Sequence, residues 1–142
     1  MVYFNWVIRV IDYIIKLDDN KLYIAKDNEY QTHDCTFQKY INRILIKRFN
    51  DLNALEKSIK KVYGYKNKIP LFIDNNNLLL CLRSYRMNES IYINFHSIKN
   101  FERVNKLILI EFHSGHVLRL KQESGLRVQM KRAREIIDSL YK

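Results

Sequence analysis

The sequence predicts an α+β fold: an antiparallel β-sheet meander with one short central helix and a long C-terminal helix packed on the sheet. Three observations support this prediction. Short apolar segments separated by turn residues fill the second half of the chain. Near the middle, at 50–64, apolar residues recur at helical spacing between capping residues. A longer apolar stripe at the same spacing runs through 126–140.

The first segment, up to residue 16, carries two competing patterns. Its charged and apolar residues recur at helical spacing, but most of the apolar ones are β-branched or aromatic, which favours strands. From the residues alone, helix and strand both stay open. Asp18-Asp19-Asn20 then predicts a turn into a strand at Lys21–Ala25. The polar residues at helical spacing are Asn5, Arg9, Asp12 and Lys16.

Two segments lead to the central helix. Lys26–Thr32 is polar and predicts a loop, whereas Thr36–Arg48 is rich in isoleucine and predicts a strand. Asn50 or Asp51 is suited to cap the helix that follows, and Gly64 to end it. The apolar stripe of this helix is Leu52, Leu55, Ile59 and Val62.

From residue 69 onward the pattern is that of a meander, with turns at Asn75–Asn77 and Ser114-Gly115. A long helix capped near Ser124 closes the chain, and its apolar stripe must pack on the sheet. The predicted strands are Ile69–Asp74, Leu78–Leu82, Ser90–Phe95, Leu107–Phe112 and Val117–Leu120. The stripe of the last helix is Leu126, Met130, Ala133, Ile137 and Leu140.

Length and composition predict a single domain over 1–142, in which 1–64 holds the N-terminal strands and the basic helix and 65–142 the meander and the C-terminal helix. The net charge is +10, which indicates nucleic acid, an anionic membrane surface or an acidic partner. A/T-rich coding inflates lysine without any binding role. It does not readily explain ten arginines, nor fifteen acidic residues against twenty-five basic ones.

The basic residues concentrate in two places. The first is the end of the central helix and the loop after it, where twelve residues contain five lysines and no acid, interleaved with Tyr63 and Tyr65. Lysines neutralise phosphates, and tyrosines offer hydroxyl donors or stacking surfaces to nucleic acid. The second is one face of the last helix. A solvated helix face is the alternative interpretation. The candidate DNA-binding residues are Lys57, Lys60, Lys61, Lys66 and Lys68, then Arg127, Lys131 and Arg134.

The sequence offers little for catalysis. Cys35 and Cys81 are isolated thiols without a basic neighbour in a motif, which fits two small hydrophobes in a reducing cytoplasm. His113 and His116 flank a turn, but no third ligand is evident, so surface histidines are expected. Only three glycines occur, too few for a phosphate loop as well as the turns. We expect neither an enzyme nor a metal or cofactor, and no stretch is apolar enough to span a membrane.

The second half resembles the ComK family of bacterial competence transcription factors. The likeness begins at Lys68–Asp74, a lysine-proline segment leading into an apolar strand, and continues at Tyr92–Phe101, an aromatic, histidine-bearing strand with a closing phenylalanine. Phe112–Gly115 is similar to the family's Phe-Ser-Asn-Gly turn. Val7–Arg9 followed by Asp12–Ile15 looks like its opening pair of strands, which favours strands there. Similar residues of the final helix are Leu126, Gln129, Arg132 and Ala133.

The resemblance implies a cytoplasmic bacterial activator of DNA-uptake genes. It would bind A/T-rich DNA boxes as a homo-oligomer, largely through the minor groove. The family's Gly-Arg-Lys element reads Leu55-Glu56-Lys57 here, with an acid at the presumed phosphate-facing arginine, and Lys60 and Lys61 lie one turn on. Longer members carry a C-terminal tail implicated in activation and in recognition by an adaptor-protease system. Whether Leu140–Lys142 retains that recognition stays open.

Two alternatives remain at this point. One is a protein- or lipid-binding module resembling bacterial pleckstrin-homology-like domains, a small β-sandwich with a closing helix whose basic surface meets an acidic partner. The other is a degenerate relative that only pairs with a full-length regulator, an idea motivated by Glu56 and by the short C-terminus.

Overall fold

The structure is a computed structural model that describes residues 10–27, 29–66, 68–83, 90–121 and 125–141. The predictions made for Val7–Arg9, for a cap at Ser124 and for Lys142 lie outside these residues. Within them the chain forms nine strands and three α-helices. The strands are β1 Ile11–Asp18, β2 Lys21–Lys26, β3 Glu29–His33, β4 Leu71–Asp74, β5 Asn77–Arg83, β6 Ser90–Asn94, β7 Ile98–Val104, β8 Leu107–Phe112 and β9 Val117–Lys121. The helices are α1 Phe37–Leu45, α2 Leu52–Tyr63 and α3 Leu126–Leu140, and a 3₁₀ turn at Ile46–Arg48 follows α1.

The predicted α+β class is confirmed, with antiparallel pairing throughout and a long C-terminal helix on the sheet. The strands form two sheets rather than one. A six-stranded sheet has the order β3-β2-β1-β6-β5-β4, and a three-stranded sheet has the order β7-β8-β9. The strand interpretation of the opening segment holds from residue 11, where β1 lies between β2 and β6.

The two faces of the six-stranded sheet bury two different cores. On one face Ile14 and Leu79 pack with the apolar sides of α1 and α2. On the other face Tyr13 and Leu80 pack with β8, β9 and the first half of α3. This alternation of neighbouring residues is what the period-two geometry of a strand requires. Ile136, near the end of α3, belongs to the first core.

The prediction of a strand over Thr36–Arg48 is wrong, because this segment is α1 with its 3₁₀ extension. The Thr36 hydroxyl caps the helix by accepting a hydrogen bond from the Lys39 amide at 3.1 Å. Ile41 and Ile44, which suggested a strand, also lie at helical spacing, and burial of that face outweighs their β propensity, whereas Ile46 is 68% exposed. The buried residues of α1 are Phe37, Tyr40, Ile41 and Leu45. The middle of the chain thus contains two helices, α1 and the predicted α2.

Two strands were not predicted. The prediction of a loop over Lys26–Thr32 is wrong, because most of this segment lies at the end of β2 and in β3. β3 is an edge strand that is half-buried or exposed along its length. β7 is also an edge strand and is exposed from Lys99 to Val104. Edge strands with few buried side chains lack the apolar alternation by which strands are recognised in sequence.

The predicted ends of α2 are confirmed. The Asp51 carboxylate accepts a hydrogen bond from the Ala54 amide at 2.8 Å, and Gly64 adopts the left-handed conformation with φ 75°. The prediction of the apolar stripes is wrong for two residues, because Val62 is 71% exposed and Leu140 is 49% exposed. In α3 the N-cap is Gly125, and the buried face instead includes Gln129.

A buried polar cluster of Asp74, Asn77 and Asn94 pins β1, β5 and β6 together at one end of the large sheet. Asn94 is fully buried, and its side-chain nitrogen lies 2.7 Å from the Ile11 carbonyl oxygen and 2.8 Å from that of Asn76. Its side-chain oxygen accepts from the amides of Leu78 and His96. The predicted turn at Asn75–Asn77 therefore ends one residue earlier, because Asn77 is the buried first residue of β5.

A second buried polar contact joins β1 to the β8–β9 hairpin. The Nδ1 atom of His116 lies 2.6 Å from a carboxylate oxygen of Asp12, and the Ser114 hydroxyl donates to the same oxygen. His116 and Asp12 are both buried, so the expectation of two surface histidines is wrong for His116 and right for His113, which is exposed. This contact joins the three-stranded sheet to the six-stranded one.

Candidate nucleic-acid interface

The predicted lysines of α2 are exposed as expected. Leu52, Leu55 and Ile59 face the core. By helical geometry Lys57 and Lys61 lie on the side away from that buried stripe, while Lys60 lies on its flank beside Glu56. All three lysines are solvent-exposed and Glu56 is half-buried. Glu56 therefore lies on the flank of the helix, and Lys57 and Lys61 form its outer face.

The loop after α2 is anchored on α3 by two tyrosines. The rings of Tyr63 and Tyr65 stack with their centroids 5.6 Å apart. The Tyr63 hydroxyl meets the Ser139 hydroxyl, and the Tyr65 hydroxyl donates to the Glu135 carboxylate at 3.0 Å. Burial and the neighbouring Glu135 raise the pKa of Tyr65 to about 12, so its proton stays in place at neutral pH. Both hydroxyls thus form hydrogen bonds within the protein, so we do not expect them to donate to nucleic acid.

The guanidinium of Arg132 completes this anchor. It lies 4.7 Å from the centroid of the Tyr65 ring, in cation–π geometry. It also donates to the Lys68 carbonyl at 3.3 Å, and the buried Gln129 side chain donates to the same carbonyl. Gln129 in turn accepts from the Cys81 amide at 3.0 Å. Lys68 is held by these bonds in the left-handed region, with φ 45°.

Three predicted residues, Lys60, Lys66 and Lys68, meet around one cleft of about 590 Å³. The cleft lies on the helix-covered face of the large sheet, between α2, the start of α1 and the loop before β4. Phe37 and Tyr92 form part of its wall and stack on each other, with centroids 3.8 Å apart and planes 8° apart. The remaining charged residues that line it are Lys16, Asp19 and Glu56.

The predicted group on α3 lies elsewhere. Arg127, Lys131 and Arg134 are all exposed. Arg127 lines a different groove of about 380 Å³, between the start of α3 and β7–β8, together with Phe101 and Arg103. The structure therefore does not bring the eight candidates into a single cleft.

The eight predicted cations share one electrostatic property. In the described part of the chain, none of them forms an ion pair with a carboxylate. The ion pairs of basic residues found there join Lys16 to Asp19, Lys99 to Glu111 and His116 to Asp12. The charge of the candidates is thus left for solvent ions or for an external partner.

A further basic stripe was missed by sequence reasoning. Residues 37–50 contain no acid, and four basic residues lie on or just after α1. Each of the four is exposed, and none forms an ion pair with a described residue. The first three are spaced at i, i+4 and i+8, which would have revealed the stripe had the segment been interpreted as a helix. The stripe is Lys39, Arg43, Lys47 and Arg48.

Three further observations on the described residues concern metal ligands, thiols and membrane-spanning helices. No group of three or more histidine, cysteine or carboxylate side chains in the described residues could hold a metal ion. Cys35, which is buried, and Cys81, which is partly buried, form no disulfide. Among the described residues, no helix is long and apolar enough to cross a membrane.

Comparison of the chain with protein-family models, with curated proteins and with solved structures finds no match.

Proposed function

We propose that this chain is a non-enzymatic, DNA-binding transcriptional regulator that binds A/T-rich promoter boxes through phosphate and minor-groove contacts. One observation carries the proposal: the eight predicted cations are exposed and none is paired with a carboxylate among the described residues. An isolated solvated helix face usually mixes both signs of charge. On α2 Glu56 is turned toward the cleft, and on α3 Glu135 accepts a hydrogen bond from Tyr65, whereas the exposed Asp138 shares the helix face of Arg134.

Unpaired lysines and arginines suit a phosphate backbone because binding releases the counterions condensed on DNA. The newly found stripe on α1 adds four cations of the same kind to the eight. Lys60, Lys66 and Lys68 lie beside a cleft that a duplex is too wide to enter, so we assign them to phosphates at its rim. Phosphate contacts fix the position of a protein on a duplex but carry no sequence information by themselves.

A preference for A/T-rich DNA follows from the minor groove, which is narrow and strongly negative in A-tracts and attracts inserted Arg and Lys side chains. The resemblance to competence regulators supports the same preference, together with a homo-oligomeric state, a bacterial cytoplasmic location and turnover through an adaptor-protease system.

Fluorescence anisotropy with two duplexes of equal length, one A/T-rich and one G/C-rich, tests the proposal. At about 100 mM salt we expect the A/T-rich duplex to bind at least tenfold more tightly. Equal affinity for both duplexes would contradict sequence-selective binding. Binding to neither, with binding to anionic vesicles or to an acidic protein, would favour the pleckstrin-homology-like alternative. Binding restored by a second regulator subunit would favour the degenerate relative.

A further inference from the structure

The 3₁₀ turn after α1 ends in a phenylalanine with an unusual exposure. The Phe49 ring is 99% exposed. Every other phenylalanine of the described residues is buried or half-buried, except Phe101, which is 42% exposed. No aromatic ring of a described residue contacts it. An isolated exposed apolar side chain is common, but a fully projecting large aromatic ring next to unpaired cations is a candidate contact point.

The backbone at this point makes phenylalanine an unfavourable choice. Phe49 adopts the left-handed conformation with φ 59°, and its amide and that of Asn50 bond back to Ile46 and Leu45. This is a helix C-cap, where glycine is the usual residue because it lacks the steric penalty of a side chain. Gly64 fills the equivalent position at the end of α2. Phenylalanine at 49 therefore contributes neither packing nor favourable backbone conformation.

The residues before Phe49 carry one sign of charge, and the next acid along the chain, Asp51, caps α2. Lys47 and Arg48 precede it directly, and Lys39 and Arg43 continue the stripe back along the exposed side of α1. Four residues of helix rise about 6 Å, so the stripe can follow consecutive phosphates of one strand. A lipid surface would require a broad exposed apolar helix face, but the apolar face of α1 is buried in the first core.

We propose that Phe49 is a wedge that inserts between base pairs in the minor groove while the α1 stripe binds the flanking phosphates. Architectural DNA-binding proteins insert Phe, Leu or Ile in this way and kink the duplex at the step they open. Pyrimidine–purine steps such as TA yield most easily, which agrees with A/T-rich targets. The inference rests on the proposed DNA binding and adds to it a contact site on a different element from the predicted lysines.

The test uses A/T-rich duplexes that carry 2-aminopurine in place of one adenine at successive TA steps, since unstacking raises the fluorescence of this base. With the wild-type protein we expect the signal to rise at one step. With Phe49→Gly we expect no rise and about tenfold weaker binding, because a base–aromatic stack is lost. Phe49→Trp should retain the signal. The matched control is Val62→Ala, an exposed apolar residue on α2 that is 71% exposed and should change neither readout.

Two further measurements separate the possible failures. Because glycine suits the left-handed position, Phe49→Gly should unfold at the same temperature as the wild type or higher, so weaker binding would not reflect misfolding. If Phe49→Gly binds DNA and unstacks it as the wild type does, the wedge is wrong and the proposed DNA binding stands. If the wild type binds neither duplex in anisotropy, both proposals fail together.

Discussion

Two groups of polar side chains in this molecule behave in opposite ways. The side chains of the buried polar cluster and of the Asp12–His116 pair find their hydrogen-bond partners inside the protein. The Asn94 side chain by itself bonds to both strands that neighbour β6. The eight candidate cations and the four of the α1 stripe pair with no carboxylate in the described chain. Polar groups that are satisfied internally stabilise a fold, and exposed charges left unpaired are available to a partner.

The comparison predicts two separable classes of variant. Changes in the buried polar residues should lower the free energy of unfolding, and changes in the exposed cations should lower DNA affinity without affecting unfolding.

The largest effect on stability is expected at Asn94. Asn94→Ala leaves the Ile11 carbonyl and the Leu78 amide buried without their partner, so unfolding should become easier by about 4 kcal/mol. Urea denaturation followed by circular dichroism measures this. Asn100→Ala, at an exposed asparagine in β7, is the matched control and should change stability by less than about 0.5 kcal/mol. Equal effects of the two changes would show that the cluster does not stabilise the sheet.

The next effect is expected at Asp12. Asp12→Ala removes the acceptor for Ser114 and the partner of His116 in a buried site, so we expect a loss of about 3 kcal/mol. Asp19→Ala, at a carboxylate that is fully exposed, is its control. An unchanged denaturation midpoint for Asp12→Ala would contradict the role assigned to this pair.

Neither buried polar site could be predicted from the sequence, for a physical reason. Asp12 and His116 are 104 residues apart, and Asn94 meets Ile11 across 83 residues. Such contacts depend on which strands become neighbours, and local patterns do not determine strand order. Asp12 even lies among the charged residues at helical spacing, which suggested exposure.

Caps and turns visible in the sequence did predict the helix and the hairpins in which they lie. Asp51 and Gly64 fixed the ends of α2, and the turns after Asp18 and Phe112 fixed two hairpins. α1 was missed because β-branched residues obscured its helical period, and with it the basic stripe beginning at Lys39 was missed. Lys57, Lys60 and Lys61 were correctly expected to face outward, but the meeting of Lys60 with Lys66 and Lys68 around one cleft depends on the tertiary structure.

Charge reversal on α2 should separate binding from stability. We expect Lys57→Glu, Lys60→Glu and Lys61→Glu together to weaken DNA binding about a hundredfold, or about 2.7 kcal/mol, since these side chains are unpaired. The control makes the same change of charge on the three-stranded sheet, with Lys99→Glu, Lys106→Glu and Arg119→Glu. If both sets weaken binding equally in anisotropy, the effect is one of net charge alone and the assigned surface is wrong.

The smallest effect concerns the anchor of the basic loop. Tyr65→Phe removes the hydrogen bond to Glu135 and keeps the ring under Arg132, so stability should fall by about 1 kcal/mol. Tyr141→Phe, which removes an exposed hydroxyl that donates to Asn75, should have a smaller effect in the same denaturation experiment. A larger loss for Tyr141→Phe would mean that Tyr65 does not fix the loop.

The most direct test of the central claim is the salt dependence of binding to the A/T-rich duplex. If about six unpaired cations meet phosphates, the affinity measured by anisotropy should fall about a thousandfold between roughly 50 and 200 mM salt. The lysine-to-glutamate triple variant of α2 should show a slope that is shallower by about three. An affinity that does not change with salt would contradict the claim that these cations bind the DNA backbone.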